Sequence, residues 1–434
     1  CFAHCELQHR LAPSCEEFPR RRHFHGDPNC RSRRKNQSPT SSKSTVSDKY
    51  TQDLIGLSSV KDGLYFMDNG QIIGIQEILP VNFYHKTISE RNGIYDTFLS
   101  FFNVCPKDVH FKTRTEKADV EKLVTRIKES CGGQSEKILK NCKRYINYVR
   151  SLQKADTVYR RYYVIWKYSG DESGNKSTDL QSIIREMERI RSNLSLIGNP
   201  LYTPSDLNYY ACELLYNFFN PKTCLTEPFD SRIERISKDV NKWNLRSKNK
   251  KTFYEEDLIA PKGISIRKDH LIMDGVYHTY LAFSDNGHPS RAQAGWLDII
   301  GTDYGIDIDV ISRKVSKELV RKALQKSNSL GRGVASFLAE KGKQEAAQEA
   351  YKSNANREYI YEALNKGEDL WSTLIIITIR ANDYQTLMSK RDDLYSFLKS
   401  KGLSTEKMYL NGDKYLRMTM PFMYVENSID RKSV

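Results

Sequence analysis

The sequence predicts an α+β protein: two mixed sheet-and-helix sandwich subdomains that follow a disordered basic N-terminal tail. Three observations carry this. Runs that alternate apolar and polar residues with period two are interleaved, in both halves of the chain, with runs at helical spacing. The first fifty residues show neither pattern. A Lys- and Asn-rich stretch at 238–256 separates the halves. The expected organisation is a disordered tail at 1–50, a first subdomain at 51–240 and a second at 250–434.

The tail carries ten Lys/Arg against five Asp/Glu and four each of the nine Cys and nine His. Its polar run Asn36 to Ser42 reads as a flexible linker. Order begins near Leu54. Leu64 to Met67 and Gln71 to Ile75 flank Asp68-Asn69-Gly70, a hairpin signal expected to form a type I′ turn with two positive φ angles. Ile94, Phe98, Phe101 and Phe102 mark an amphipathic helix, and Val109, Phe111 and Thr113 alternate as a strand. Helices are expected at 117–131 and 135–154, and a strand at Arg161 to Tyr168. Helix 179–197 carries the stripe Ile183, Ile184, Met187, Ile190 and Leu194, with a capping-box pattern at Thr178 and Gln181. Helix 205–219 follows.

The second half opens with strands near Ile264, Leu271 to Met273 and Val276 to Phe283, the last two joined by a tight turn at Asp274-Gly275. Ile306, Ile308 and Val310 alternate with Asp307 and Asp309. Helices fill 316–364. The β-branched run Leu374 to Ile379 predicts a central strand buried on both faces. Helix 383–400 stops at Gly402, and a last strand pair is expected near 407–420.

The formal net charge of +14 favours acidic partners such as nucleic acid, anionic lipid or an acidic protein face. No apolar run approaches the roughly 20 residues of a membrane-spanning helix. Cys105, Cys131, Cys142, Cys212 and Cys224 fall in ordinary strands, helices and loops, which reads as a reducing cytosolic compartment.

A phosphate-binding loop needs glycines to bring backbone N–H groups to the phosphates, a Lys for their charge and a Ser/Thr for magnesium. Gly-Lys occurs once, at Gly342-Lys343, followed by Gln344. Gly170 to Ser177 has Asn175 where the second Gly belongs and reads as a polar loop. Gly331-Arg332-Gly333 lacks the third Gly of a dinucleotide site. Cys1, His4, Cys5, Cys15, His23, His25 and Cys30 are zinc-compatible types at spacings that fit no standard finger. Asp303, Asp307 and Asp309 suggest a metal site, with the solvated side of a half-buried strand as the simpler reading. His270, His278 and His288, near Ser284 and Asp285, read as structural or surface histidines. The basic clusters Arg20 to Arg22, Arg31 to Lys35 and Lys248 to Lys251 lack base-reading elements. No catalytic, cofactor-binding or metal residue is therefore assigned, and no cofactor is expected.

Several strings nevertheless read together: Val60-Lys61-Asp62-Gly63, Asn82-Phe83, Ile259-Ala260-Pro261, Asp274 to Leu281, Ala294-Gly295-Trp296-Leu297, Gly305 to Val310, Leu374 to Ile379 and Leu416 to Phe422. Their order and spacing over about 58–425 resemble the N-terminal region of TraC-like conjugal transfer ATPases of type IV secretion, in the branch found on Gram-positive mobile elements. The resemblance implies a docking and assembly module that binds inner-membrane channel proteins of the transfer apparatus. It implies peripheral placement at the cytoplasmic face of the membrane, self-association, and a separate RecA-like motor domain that hydrolyses ATP. Because the chain starts at Cys1 and stops at Val434 without the family's phosphate loop, it reads as truncated before that motor and as no enzyme by itself. Trp296, Tyr277 and Tyr280 are candidate packing or contact residues in this picture. The alternative is a basic DNA-binding accessory protein of a mobile element, whose binding would fall steeply with salt.

Overall fold

A computed structural model describes residues 51–434 except 82, 118–123, 125–135, 154–157, 169–179, 247–253, 285–286, 290–294, 301–302, 319, 323–357 and 424–434. The elements in chain order are α1 (Thr51–Ile55), β1 (Leu57–Lys61), β2 (Leu64–Met67), β3 (Ile72–Ile78), α2 (Ile88–Val104), β4 (Asp108–Lys117), α3 (Glu136–Gln153) and β5 (Val158–Lys167). There follow α4 (Leu180–Leu196), α5 (Leu207–Phe219), α6 (Phe229–Arg246), α7 (Glu255–Ile259), β6 (Ile264–Ile266), β7 (Leu271–Met273) and β8 (Val276–Phe283). The last are β9 (Ile306–Lys314), β10 (Trp371–Ala381), α8 (Tyr384–Ser400), β11 (Thr405–Lys407) and α9 (Gly412–Thr419).

The eleven strands among the described residues join one antiparallel sheet in the order β1-β2-β3-β5-β4-β9-β10-β8-β7-β6, with β11 on β8. The halves 51–240 and 250–434 each supply about half of it. They meet where β4 pairs β9, from Asp108 opposite Arg313 to Thr113 opposite Ile308. The described residues form one compact unit.

Period-two alternation sends successive side chains to opposite faces, and both faces are covered. One face packs Tyr65, Ile73, Ile165, Ile311 and Ile376 against α1, α5, α7 and α9. The other packs Leu64, Val109, Val164 and Trp166 against α2 and α4, and Ile308, Ile375, Ile377 and Ile379 against α8. The result is a helix–sheet–helix sandwich, and β10 is the buried central strand its β-branched run predicts.

Turn chemistry sets the registers. Asp62-Gly63 and Asp274-Gly275 have both central φ angles positive, as a two-residue type I′ hairpin requires. At Asp68-Asn69-Gly70 the expectation fails, because only Gly70 is left-handed. Gly70 N donates to Met67 O and Met67 N to Gln71 O, both at 2.9 Å, so the loop is three residues long with the glycine closing it. The second member of the strand pair expected at 407–420 is also corrected. Gly412, Leu416 and Thr419 are buried at i, i+4 and i+7, the spacing of one helix face, and Gly412–Thr419 is helical.

The helices expected at 135–154, 179–197, 205–219 and 383–400 are α3, α4, α5 and α8. Lys117 ends β4, and nearly all of the helix expected at 117–131 lies outside the described residues, as do Thr178 and most of 316–364. The boundary stretch at 238–256 is helical as far as Arg246. No described helix is long and apolar enough to cross a membrane.

Candidate functional site

Strand alternation brings a set of ionisable side chains to one face of the central strands. On β4 these are His110, Lys112 and Arg114; on β9, Asp307 and Asp309; on β10, Thr378 and Arg380; on β8, His278 and Tyr280. Register aligns Lys112 with Asp309, Asp307 with Thr378, Thr378 with Tyr280 and Arg380 with His278. The expectation of a solvated aspartate face is overturned here. Asp307 is 4% exposed and Asp309 0%, because α9 and the end of α5 lie over this face. Asp303 alone is exposed, in the loop before β9.

Buried charge persists only when paired and hydrogen-bonded, and these groups are. Lys112 Nζ donates to Asp309 Oδ1 at 2.8 Å and to Thr419 O at 3.0 Å, on α9. His110 Nε2 lies 2.7 Å from the same Asp309 oxygen, a contact that requires the Nε2–H tautomer. Arg380 Nη2 donates to Asp307 Oδ1 at 2.8 Å and to Thr115 O at 2.7 Å. Thr115 N and Oγ1 donate to the same Asp307 oxygen at 2.8 and 3.1 Å. Arg114 Nη2 donates to Asn217 O at 2.6 Å at the end of α5. Lys112 and Arg114 both lie over the Phe218 ring, 5.0 and 5.4 Å from its centroid.

The electrostatics follow from burial and these pairs. Burial pushes the Asp307 carboxyl up, but Arg380, then Lys112 and Arg114, outweigh it and hold the group below the ordinary carboxylate value. Burial drives His110 down against the pull of Asp309, so its imidazole is neutral. His278 falls to about 3, through burial first and the positive field of Arg380 second. A second network lies beside the first on β3 and β5. Arg161 clamps Glu77 through Nε at 2.8 Å and Nη2 at 2.6 Å, and Tyr210 of α5 donates to the same carboxylate.

These groups tie the strands of both halves to the covering helices. Phe218, Leu416 and Thr419 close over the first cluster, which encloses a cavity of about 20 Å³. That is room for one water-sized guest, not a nucleotide.

The histidines singled out by sequence are apart in role. His278 lines the cavity, His270 pairs with Asp269 at 2.8 Å beside Tyr384, and His288 is exposed. Asp285 lies outside the described residues, as do the Cys/His set of the tail, the glycine-containing stretches at 170–177, 331–333 and 342–343, and the basic clusters at 20–22, 31–35 and 248–251. Among the described residues no group of three or more His, Cys, Asp or Glu is placed to hold a metal. Tyr280 is core, stacked on Tyr415 with centroids 5.4 Å apart, and Trp296 packs edge-on to Phe283. Tyr277 is half-buried against His270. Cys142 on α3 is disulfide-bonded, which departs from the reading of five reduced thiols, while Cys105, Cys212 and Cys224 are free.

A different surface is open. On α2, Ile88, Tyr95 and Leu99 recur at i, i+7 and i+11 and point outward, with Ile88 72% and Leu99 65% exposed. The opposite face of α2 is anchored by Phe101, buried among Phe98, Phe102 and Phe111, and Phe102 packs on Trp371 of β10. Just before the helix, Tyr84 extends the apolar surface, its hydroxyl donating to Asp298 at 3.2 Å. A rigidly mounted apolar stripe of this kind suits a protein contact.

Comparison with protein-family models and with curated proteins gives no match.

Proposed function

We propose that this chain is a docking and assembly module of a conjugative type IV secretion ATPase of the TraC-like kind. It binds inner-membrane channel proteins from the cytoplasmic side and does not hydrolyse ATP by itself. The observation that carries the reading is the outward apolar stripe Ile88, Tyr95 and Leu99 on α2, held in place from behind by an aromatic cluster. A buried aromatic and aliphatic centre supplies most of the energy of protein contacts.

Two further facts support it. The strings that resemble the family lie on neighbouring elements of one sheet: Asp274 to Leu281 on the β7–β8 hairpin, Gly305 to Val310 on β9 and Leu374 to Ile379 on β10. The 434 residues contain no Gly-Lys-Ser or Gly-Lys-Thr to bind a triphosphate and its magnesium.

Affinity-tagged chain, incubated with detergent-solubilised channel proteins of a conjugative apparatus, should retain one of them. The I88E/L99E double variant, altered only at exposed positions, should lose that partner while keeping its circular dichroism spectrum. Retention of no channel protein by the wild-type chain would overturn the proposal.

A further inference from the structure

Helix α3 is the most basic of the described helices, and neither the docking reading nor the buried network uses it. It carries five Lys/Arg against one Glu, whereas α6, the next most basic, carries five against three acids. Lys140, Lys143 and Arg144 are exposed, and no carboxylate among the described residues pairs with them. Lys140, Arg144 and Tyr148 recur at i, i+4 and i+8, so they form one row along the helix with about 6 Å of rise between neighbours. Tyr145 stands beside that row, its ring 6.4 Å from that of Tyr148. Tyr145 is 46% exposed and Tyr148 52%, while Ile146 is buried on the opposite side of the helix.

A row of cations without carboxylate partners favours a polyanion, and the rest of the face decides which. A membrane-surface helix turns an apolar face outward and keeps its cations on the polar side. Here the cations occupy the middle of the outward face, and the exposed aliphatics Ile138 and Leu139 stand at the N-terminal end, off the row. An acidic protein face answers the cations but brings no flat groups to the two rings. Nucleic acid answers both, with phosphates for the cations and bases whose faces stack on tyrosine. In a duplex those faces are covered by neighbouring bases, so the strand must be single.

We propose that α3 binds single-stranded nucleic acid, with Lys140, Lys143 and Arg144 on the phosphates and Tyr145 and Tyr148 stacked on bases. This activity is independent of the docking reading, whose stripe lies on α2.

Fluorescence anisotropy of a labelled oligothymidylate, titrated with the full chain, should show saturable binding that weakens about tenfold between about 50 mM and about 200 mM salt, as a few phosphate contacts require. Oligouridylate should bind too, and the tighter of the two names the natural strand, DNA or RNA. Phosphatidylglycerol vesicles and poly-glutamate stand in for a membrane and an acidic protein face, and neither should displace the oligonucleotide. The K140E/R144E double variant should weaken binding at least tenfold with its circular dichroism spectrum unchanged. K242E/R246E on α6 removes the same charge elsewhere and should leave binding within twofold. Tyr145→Ala keeps every cation, removes one stack and should weaken binding about fivefold. Absence of binding at low salt would overturn the proposal. So would displacement by vesicles or poly-glutamate, duplex bound as tightly as the single strand, an equal loss in the α6 control, or Tyr145→Ala without effect.

Discussion

Asp307 shows how much one side chain does at the centre of this sheet. Its Oδ1 collects Arg380 from β10 and Thr115 from β4, so a single β9 carboxylate joins the strands on either side of it. Asp307→Asn leaves Arg380 charged and buried without its counter-ion. Breaking a buried pair in this way costs about 3–5 kcal/mol, and urea unfolding should show the loss as a lower midpoint. Gly74 is another position without tolerance. It sits opposite Trp166 on β5, and a Cβ there would meet the indole at 2.5 Å. Gly74→Ala forces the ring or the strand to move, at about 1–3 kcal/mol, again read from the urea midpoint.

The buried histidines set a pH dependence whose sign is fixed. His278 titrates near 3 in the folded chain against an ordinary 6.5, so the unfolded chain binds a proton between those values that the folded chain does not. Stability therefore falls as pH drops from 6.5 toward 3, by up to about 1.4 kcal/mol per pH unit for this one group. His110, also lowered by burial, acts in the same direction. The lowered Asp307 contributes stability above the ordinary carboxylate value and loses it only in more acidic solution. Urea midpoints should drop between pH 7 and pH 5, before the carboxylates titrate, and His278→Gln should reduce that drop. A wild-type midpoint flat over this range would contradict the assignment.

Among the elements, the legible ones carry a pattern that reports directly on local geometry. The run Leu374 to Ile379 reads as a buried central strand because β-branched residues occupy both of its faces. Asp274-Gly275 reads as a turn because the pair tolerates positive φ. Helix α5 begins where expected because Asp206 caps it, its carboxylate accepting from Tyr209 N at 2.9 Å. Asp206→Ala should cost about 0.5–2 kcal/mol, measured by thermal unfolding.

The misread elements share a cause. Alternation tells which residues of β4 and β9 share a face but not whether something covers it, so Asp307 and Asp309 look solvated. The missing information is tertiary: α5 and α9 fold over that face. No signal in β9 itself separates the two cases, because its pairing with the buried β10 is known only from the fold. At 412–419 the short apolar set fits a strand or a helix, and the packing of Gly412 and Leu416 beneath the sheet decides for the helix. At Asn69-Gly70 the dipeptide marks a hairpin, while the loop length, set by the Met67 and Gln71 pairing, selects the turn type.

Across the whole molecule, the two halves share one sheet where separate sandwiches were expected. The β4–β9 ladder, the Lys112–Asp309 ion pair and the hydrogen bonds from Thr115 to Asp307 run between the halves, and Phe102 of the first packs on Trp371 of the second. Unfolding followed by tryptophan fluorescence and by far-ultraviolet circular dichroism should therefore give coincident transitions. Two separated transitions would mean that the halves fold independently. α2 is anchored to the sheet by Phe101 and by Phe102 packed on Trp371, the mounting that the docking reading proposed above needs.

Direct binding to a channel protein tests this account most closely. With the chain immobilised and each inner-membrane channel protein of a conjugative apparatus passed over it in detergent, one should bind saturably, and I88E/L99E should weaken it at least tenfold. Absence of binding to every one of them, or equal binding by the double variant, would contradict it.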